Sequence, residues 1–160
     1  MPVRRKKRAR PAASLALAGL AWMTSAAGAA TPEQIGAVRA GAAEARRECE
    51  RLIHFDTQTF EPCVGALVDK AKLAPFTQLG ILYGGYVSVM NYAHGGLPGA
   101  RPAAWRLLQR LSPLQKRLGV DARALCETVA GNCEIRVAAT EAMLQAAPPA
   151  PSKLSDSHRH

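Results

Sequence analysis

No aspartate or glutamate precedes Glu33, although the chain holds 12 acidic residues. The same opening stretch contains six of the 21 basic residues, Arg4, Arg5, Lys6, Lys7, Arg8 and Arg10. The formal charge of +9 therefore belongs mostly to the first ten positions, and the rest carries 15 basic against 12 acidic groups, a net of +3. A nucleic-acid binder needs a basic patch on its folded domain, and none is visible. Other absences narrow the field further. No stretch alternates apolar and polar residues in the manner of a half-buried strand, which excludes a sheet. The chain has no G-x-S-x-G elbow, no H-E-x-x-H and no glycine loop able to cradle a phosphate. Neither cysteine pair has C-x-x-C spacing, and no histidine lies close to either. Zinc ligation is therefore not expected, nor is a cofactor.

What is present begins with an address. The basic start is followed by an apolar stretch, residues 12–23, with Leu15, Leu17, Leu20 and Trp22, and then by small residues, Ser25 to Ala30. A basic n-region, an apolar h-region and a small-residue cleavage site make up a secretory signal peptide. Ala27-Gly28-Ala29 fits the A-x-A pattern, which predicts cleavage after Ala29, with Ala30 as the second choice. The organisation expected is a signal peptide over residues 1–29, a helical domain over 30–147 and a disordered tail over 148–160. The localisation that follows is periplasmic or secreted, with no stable membrane insertion after cleavage. An even number of cysteines in an exported chain argues for disulfides. Cys49–Cys63 and Cys126–Cys133 are favoured because each closes a short local loop. Residues seven apart in an unbroken helix lie about 10 Å apart along its axis, too far for a disulfide. The second bridge therefore requires a turn at Gly131-Asn132.

The fold class expected is an all-α compact bundle of five to seven helices, stabilised by disulfides. Thr31-Pro32-Glu33-Gln34 reads as an N-cap, a proline at the first helical position and a capping box. From there Ile35, Val38, Ala42, Ala45, Cys49, Leu52 and Ile53 form one apolar stripe. Arg46, Arg47 and Arg51 interleave with Glu44, Glu48 and Glu50 as a solvated, ion-paired face. A second helix is placed near Pro62, with Cys63, Val64, Leu67 and Val68. A third, over 76–93, is apolar all round, as buried helices are, and its Gly80 and Gly84 permit close approach of a neighbour. Residues 94–102 form a glycine- and proline-rich loop. The next helix carries Trp105, Leu108 and Leu111, and Ser112-Pro113 is read as a restart with Ser112 as cap. Asp121 caps a short helix. A last one from Cys133 places Ile135, Val137 or Ala138, Ala142 and Leu144 on its apolar side.

Leu79-Gly80-Ile81-Leu82-Tyr83 resembles the first-helix signature of a Sel1-like helical repeat, and Ala104-Trp105 its second helix. The likeness covers about thirty residues of one repeat, with Tyr86 standing where a glycine belongs. A solenoid needs about three copies to bury its core, and no second copy occurs, so no family is assigned.

Three functional classes remain. The first is a non-catalytic protein-binding module, such as an immunity protein, inhibitor or chaperone, with another envelope protein or a toxin-like protein as partner. The second is an envelope assembly or structural accessory, and the third a small periplasmic hydrolase. No catalytic residue is assigned. His54-Phe55-Asp56 has the composition of a base beside a carboxylate, but its reading is a cap and loop before the second helix. The candidate partner-binding residues are Tyr92, His94, Arg101 and Trp105, because Tyr, Trp and Arg dominate interface hot spots. The alternative for Tyr92 and Trp105 is packing in the core.

Overall fold

The computed structural model describes residues 30–146 and Pro148, and it is all-helical there. The leader read over residues 1–29 lies outside the described residues, as does nearly all of the tail. Six helices follow in order: α1 Pro32–Ile53, α2 Thr57–Val68, α3 Pro75–His94, α4 Ala100–Arg117, α5 Ala122–Val129 and α6 Cys133–Gln145. The expected capping box opens α1, with Thr31 Oγ1 accepting from the Gln34 N–H and Gln34 Oε1 accepting from the Thr31 N–H. Asp121 caps α5 through the N–H groups of Arg123 and Ala124. Gly96 and Gly119 both take φ near +70°, at 77° and 65°. Each ends a helix with paired bonds back to the third and fourth residue before it, as in Gly96 N to Ala93 O and Leu97 N to Tyr92 O. A side chain would resist that left-handed position; glycine does not.

Helix α3 is the axis of the molecule. Every residue from Leu79 to Met90 is buried, as expected of a helix apolar all round. Its tightest neighbour is α1, and the two backbones nearly touch. A Cβ at Gly80 would run into the Val38 carbonyl, and one at Gly84 would lie 2.7 Å from the Ala42 Cα. Gly41 mirrors them from α1, against Thr77 and Ile81 of α3. Helices α2 and α4 close the other sides around Phe60, Val64, Leu107, Leu108 and Leu111, all 2 % exposed or less. Burying side chains of that size contributes about 1.5–3 kcal/mol each, which is where most of the stabilisation lies.

Both disulfides join as expected, Cys49 to Cys63 with Cα atoms 5.8 Å apart and Cys126 to Cys133 at 5.6 Å. The second is possible because Val129 ends α5 and Asn132, at φ 56°, turns the chain into α6. Three sequence expectations are corrected. Helix α2 starts five residues before Pro62, because Asp56 Oδ1 accepts from the Gln58 N–H and caps it there. Cys63 therefore sits in the middle of α2. Ser112 is no cap, since α4 runs unbroken through Pro113. A proline inside a helix removes one backbone bond and costs about 3 kcal/mol. Here Leu107, Leu108, Leu111 and Leu114 lie buried on both sides of it, and their packing outweighs that cost. On α6 the expected apolar side splits: Val137 packs half-buried against the core, but Ile135 is 72 % and Leu144 49 % exposed, and the buried residue is Met143.

The ion pairs also follow tertiary contacts more than helical spacing. Only Arg47–Glu48 forms within the expected α1 cluster, at 2.9 Å. Glu44 reaches Lys70 beyond α2, and Arg46 donates to the Val129 carbonyl at the end of α5. Arg106–Glu61 and Arg110–Asp69 tie α4 to α2. These pairs are solvated and individually worth under about 1 kcal/mol.

Candidate functional site

Helix α6 stands off from α3, and a groove runs between them. It is fixed at one end by Arg136, which donates from Nε to the Gly131 carbonyl at 2.8 Å and from Nη1 to Asn91 Oδ1 at 3.1 Å. In the middle the Tyr86 hydroxyl meets Thr140 Oγ1 at 2.9 Å, and Thr140 donates in turn to the Arg136 carbonyl. Burial pushes the Tyr83 phenol up to about 12, assisted by the neighbouring Tyr86. The Tyr86 phenol is also raised, again mainly by burial. Both phenols thus stay neutral at physiological pH, and the groove floor holds no anion of its own.

At its open end the groove widens into a cavity of about 240 Å³. His94 from the end of α3 and Arg101 from the start of α4 line it, with Met90, Ala139, Ala142 and Met143 as apolar wall. The loop 95–99 sets the spacing of the two polar groups. That loop is held from below: the buried Thr57 hydroxyl donates to the Pro98 carbonyl at 3.0 Å. Thr57 also fills the space that a Cβ on Gly99 would need, so the loop is clamped onto α2. His94 and Arg101 are exposed and make no side-chain hydrogen bond or ion pair among the described residues. No carboxylate is among the described residues lining the cavity.

The four residues singled out in the sequence do not form one cluster. His94 and Arg101 share the cavity. Tyr92 points elsewhere: its hydroxyl lies 2.8 Å from His54 Nε2, with the rings edge to face at 5.0 Å. Trp105 is half-buried and packs against the core, as Tyr92 also does. Two residues on a helix differ by about 200° in direction, which separates Tyr92 from His94. The sequence reading missed Met143 and Ala139 as groove residues. Small residues at Ala138, Ala139 and Ala142 mark a face able to lie near another helix, but their partner depends on how the disulfide folds α6 back.

His54 pairs with Tyr92 rather than with Asp56, whose carboxylate caps α2. No group of three or more His, Cys, Asp or Glu side chains is placed to hold a metal ion among the described residues. Nor is any described helix long and apolar enough to cross a membrane. A second cavity, of about 370 Å³, lies between α1, α3 and α5 and is lined largely by Ile35, Val38, Phe76, Val120 and Leu125. Arg39 at its edge donates to the Thr128 carbonyl at 3.4 Å, so that edge is already engaged. No family of known proteins matches the chain, and neither does any curated protein or solved structure.

Proposed function

We propose that the protein is an exported, non-catalytic helical module that binds another protein of the cell envelope through the groove between α3, α4 and α6. One observation carries this reading. Among the described residues, His94 and Arg101 stand exposed and unengaged at the lip of a concave apolar wall, with no base, nucleophile and orienting group assembled beside them. The loop between them is clamped onto α2 by Thr57, and disulfides tie α1 to α2 and α5 to α6. Rigid scaffolds commonly carry function on the loops they position. Disulfides persist in oxidising compartments, which supports export, as does the three-part leader; a periplasmic location follows if the source is a Gram-negative bacterium.

The test is affinity capture from an envelope extract with the chain lacking residues 1–29. One stoichiometric partner is expected. Its recovery should fall with His94→Ala and Arg101→Ala while the melting temperature holds, because both side chains are exposed. Full capture by both variants would move the binding face elsewhere, and no partner at all would sink the binding reading.

A further inference from the structure

We infer that the α3–α4–α6 cavity receives the C-terminal residue of a partner polypeptide, its carboxylate on Arg101 and His94 and its apolar side chain between Met90 and Met143. The inference rests on the protein-binding reading above and names what that site recognises. Volume is the first argument. A cavity of about 150 Å³ suffices for a benzene ring, whereas drug-sized ligands occupy about 300–1,000 Å³. At about 240 Å³ this cavity suits one apolar side chain with its terminal group, and is small for a long acyl chain.

Charge is the second argument. An unengaged guanidinium presents a planar pair of donors that matches a carboxylate, and the imidazole of His94 adds a donor across the mouth. The described lining offers no carboxylate to compete. The apolar wall is the third. Two methionines and two alanines make a surface that is soft and adaptable, which accepts an aliphatic side chain without demanding one shape. Capture of a terminal carboxylate is a recurring mode of peptide recognition, and it needs only the groups found here. Beyond Met90 and His94 the space toward Tyr86 and Thr140 narrows to about 10 Å³, room for a single water, so the cavity takes one terminal residue and the preceding residues of the peptide leave through its open mouth.

The experiment uses two synthetic pentapeptides of one sequence, acetyl-Gly-Ser-Ala-Gly-Leu, one with a free carboxylate and one with a carboxamide. Each is titrated into the isotopically labelled protein and followed by amide chemical shifts. The free acid should bind at least tenfold more tightly than the amide, with shifts confined to residues 90–101 and 136–143. Arg101→Ala should remove at least tenfold of that affinity and leave the melting temperature unchanged. Ala139→Leu, which fills the cavity, should abolish it; Arg101→Ala keeps the test decisive if the leucine variant fails to fold. Equal binding of acid and amide, unaltered binding by Arg101→Ala, or no shift with either peptide would each overturn the inference. Hexanoate binding as tightly as the free-acid peptide would assign the cavity to small carboxylates and also overturn it. The two readings fail separately: a partner captured equally well by Arg101→Ala removes the terminal-carboxylate site and leaves protein binding standing.

Discussion

Gly36→Ala and Gly80→Ala are the same chemical change in two helices, and the structure assigns them opposite signs. In a helix interior alanine is favoured over glycine by about 1 kcal/mol, through backbone entropy alone. A Cβ on Gly36 would meet nothing within 4 Å, so that gain should appear nearly undiminished. At a temperature shift of roughly 4 °C per kcal/mol for a domain of this size, the melting point should rise by about 4 °C. A Cβ on Gly80 would instead run into Val38, 2.8 Å from its carbonyl carbon and 2.9 Å from its Cα. Those atoms are backbone, and no rotamer change moves them. Overpacking costs about 1–3 kcal/mol, and an unyielding neighbour places this site at the upper end. After subtracting the propensity gain, Gly80→Ala should destabilise by about 2 kcal/mol and lower the melting point by about 8 °C. Urea unfolding with the disulfides intact measures both variants. If Gly80→Ala equals or exceeds wild type in stability, α1 and α3 are not in backbone contact, and the packing described for the centre of the molecule is wrong.

Alkaline unfolding should track the buried phenols. Their folded pKa values lie above the unfolded value near 10, so the stability they contribute is complete below pH 10 and is lost as pH rises toward about 12, where Tyr83 ionises. Ultraviolet titration should show Tyr83 and Tyr86 ionising late, and a single transition of all three tyrosines near pH 10 would refute it. Replacing both Cys126 and Cys133 by alanine should cost about 2.5 kcal/mol, and Cys49 with Cys63 about 3 kcal/mol, from loop-closure entropy. Limited proteolysis should then cut the first variant within residues 130–146 and spare α1 to α4; cleavage spread evenly along the chain would contradict that. Asp56→Ala should cost about 1 kcal/mol as a lost N-cap, measurable by the same urea titration. Tyr86→Phe should lose about 1 kcal/mol with its bond to Thr140, and an unchanged midpoint would show that the bond adds nothing.

Helices whose signals are local were legible from sequence. Thr31 and Asp121 cap where their side chains say they should, because a cap is decided within four residues. The apolar span around Leu79–Met90 reads as an inner helix, since apolar residues on all faces suit burial among neighbours, and Gly131-Asn132 had to be a turn once Cys126 and Cys133 were paired. Tertiary packing decided what was misread. Pro62 and Pro113 read as boundaries because proline usually makes one, but buried neighbours on either side carry both helices through. Hydrophobicity alone points Ile135 and Leu144 inward, whereas α6 turns Met143 and Thr140 toward α3. His94 and Arg101 line one cavity while Tyr92 turns to His54. The loop length brings 94 and 101 to one mouth, while helical rotation alone sends 92 to the opposite side.

The contrast between α3 and α6 has a consequence for amide exchange with solvent. Leu79 to Met90 are buried without interruption, and their N–H groups can meet deuterium only when the whole domain opens. Helix α6 buries a single residue, Met143, and its hold on α3 is made by side chains, so it can open locally at far lower free energy. The groove thus has one wall that exchanges on the timescale of global unfolding and one that breathes. A segment bound in the cavity should add protection on α6, with exchange over the buried interior of α3, Leu79 to Val89, unaltered.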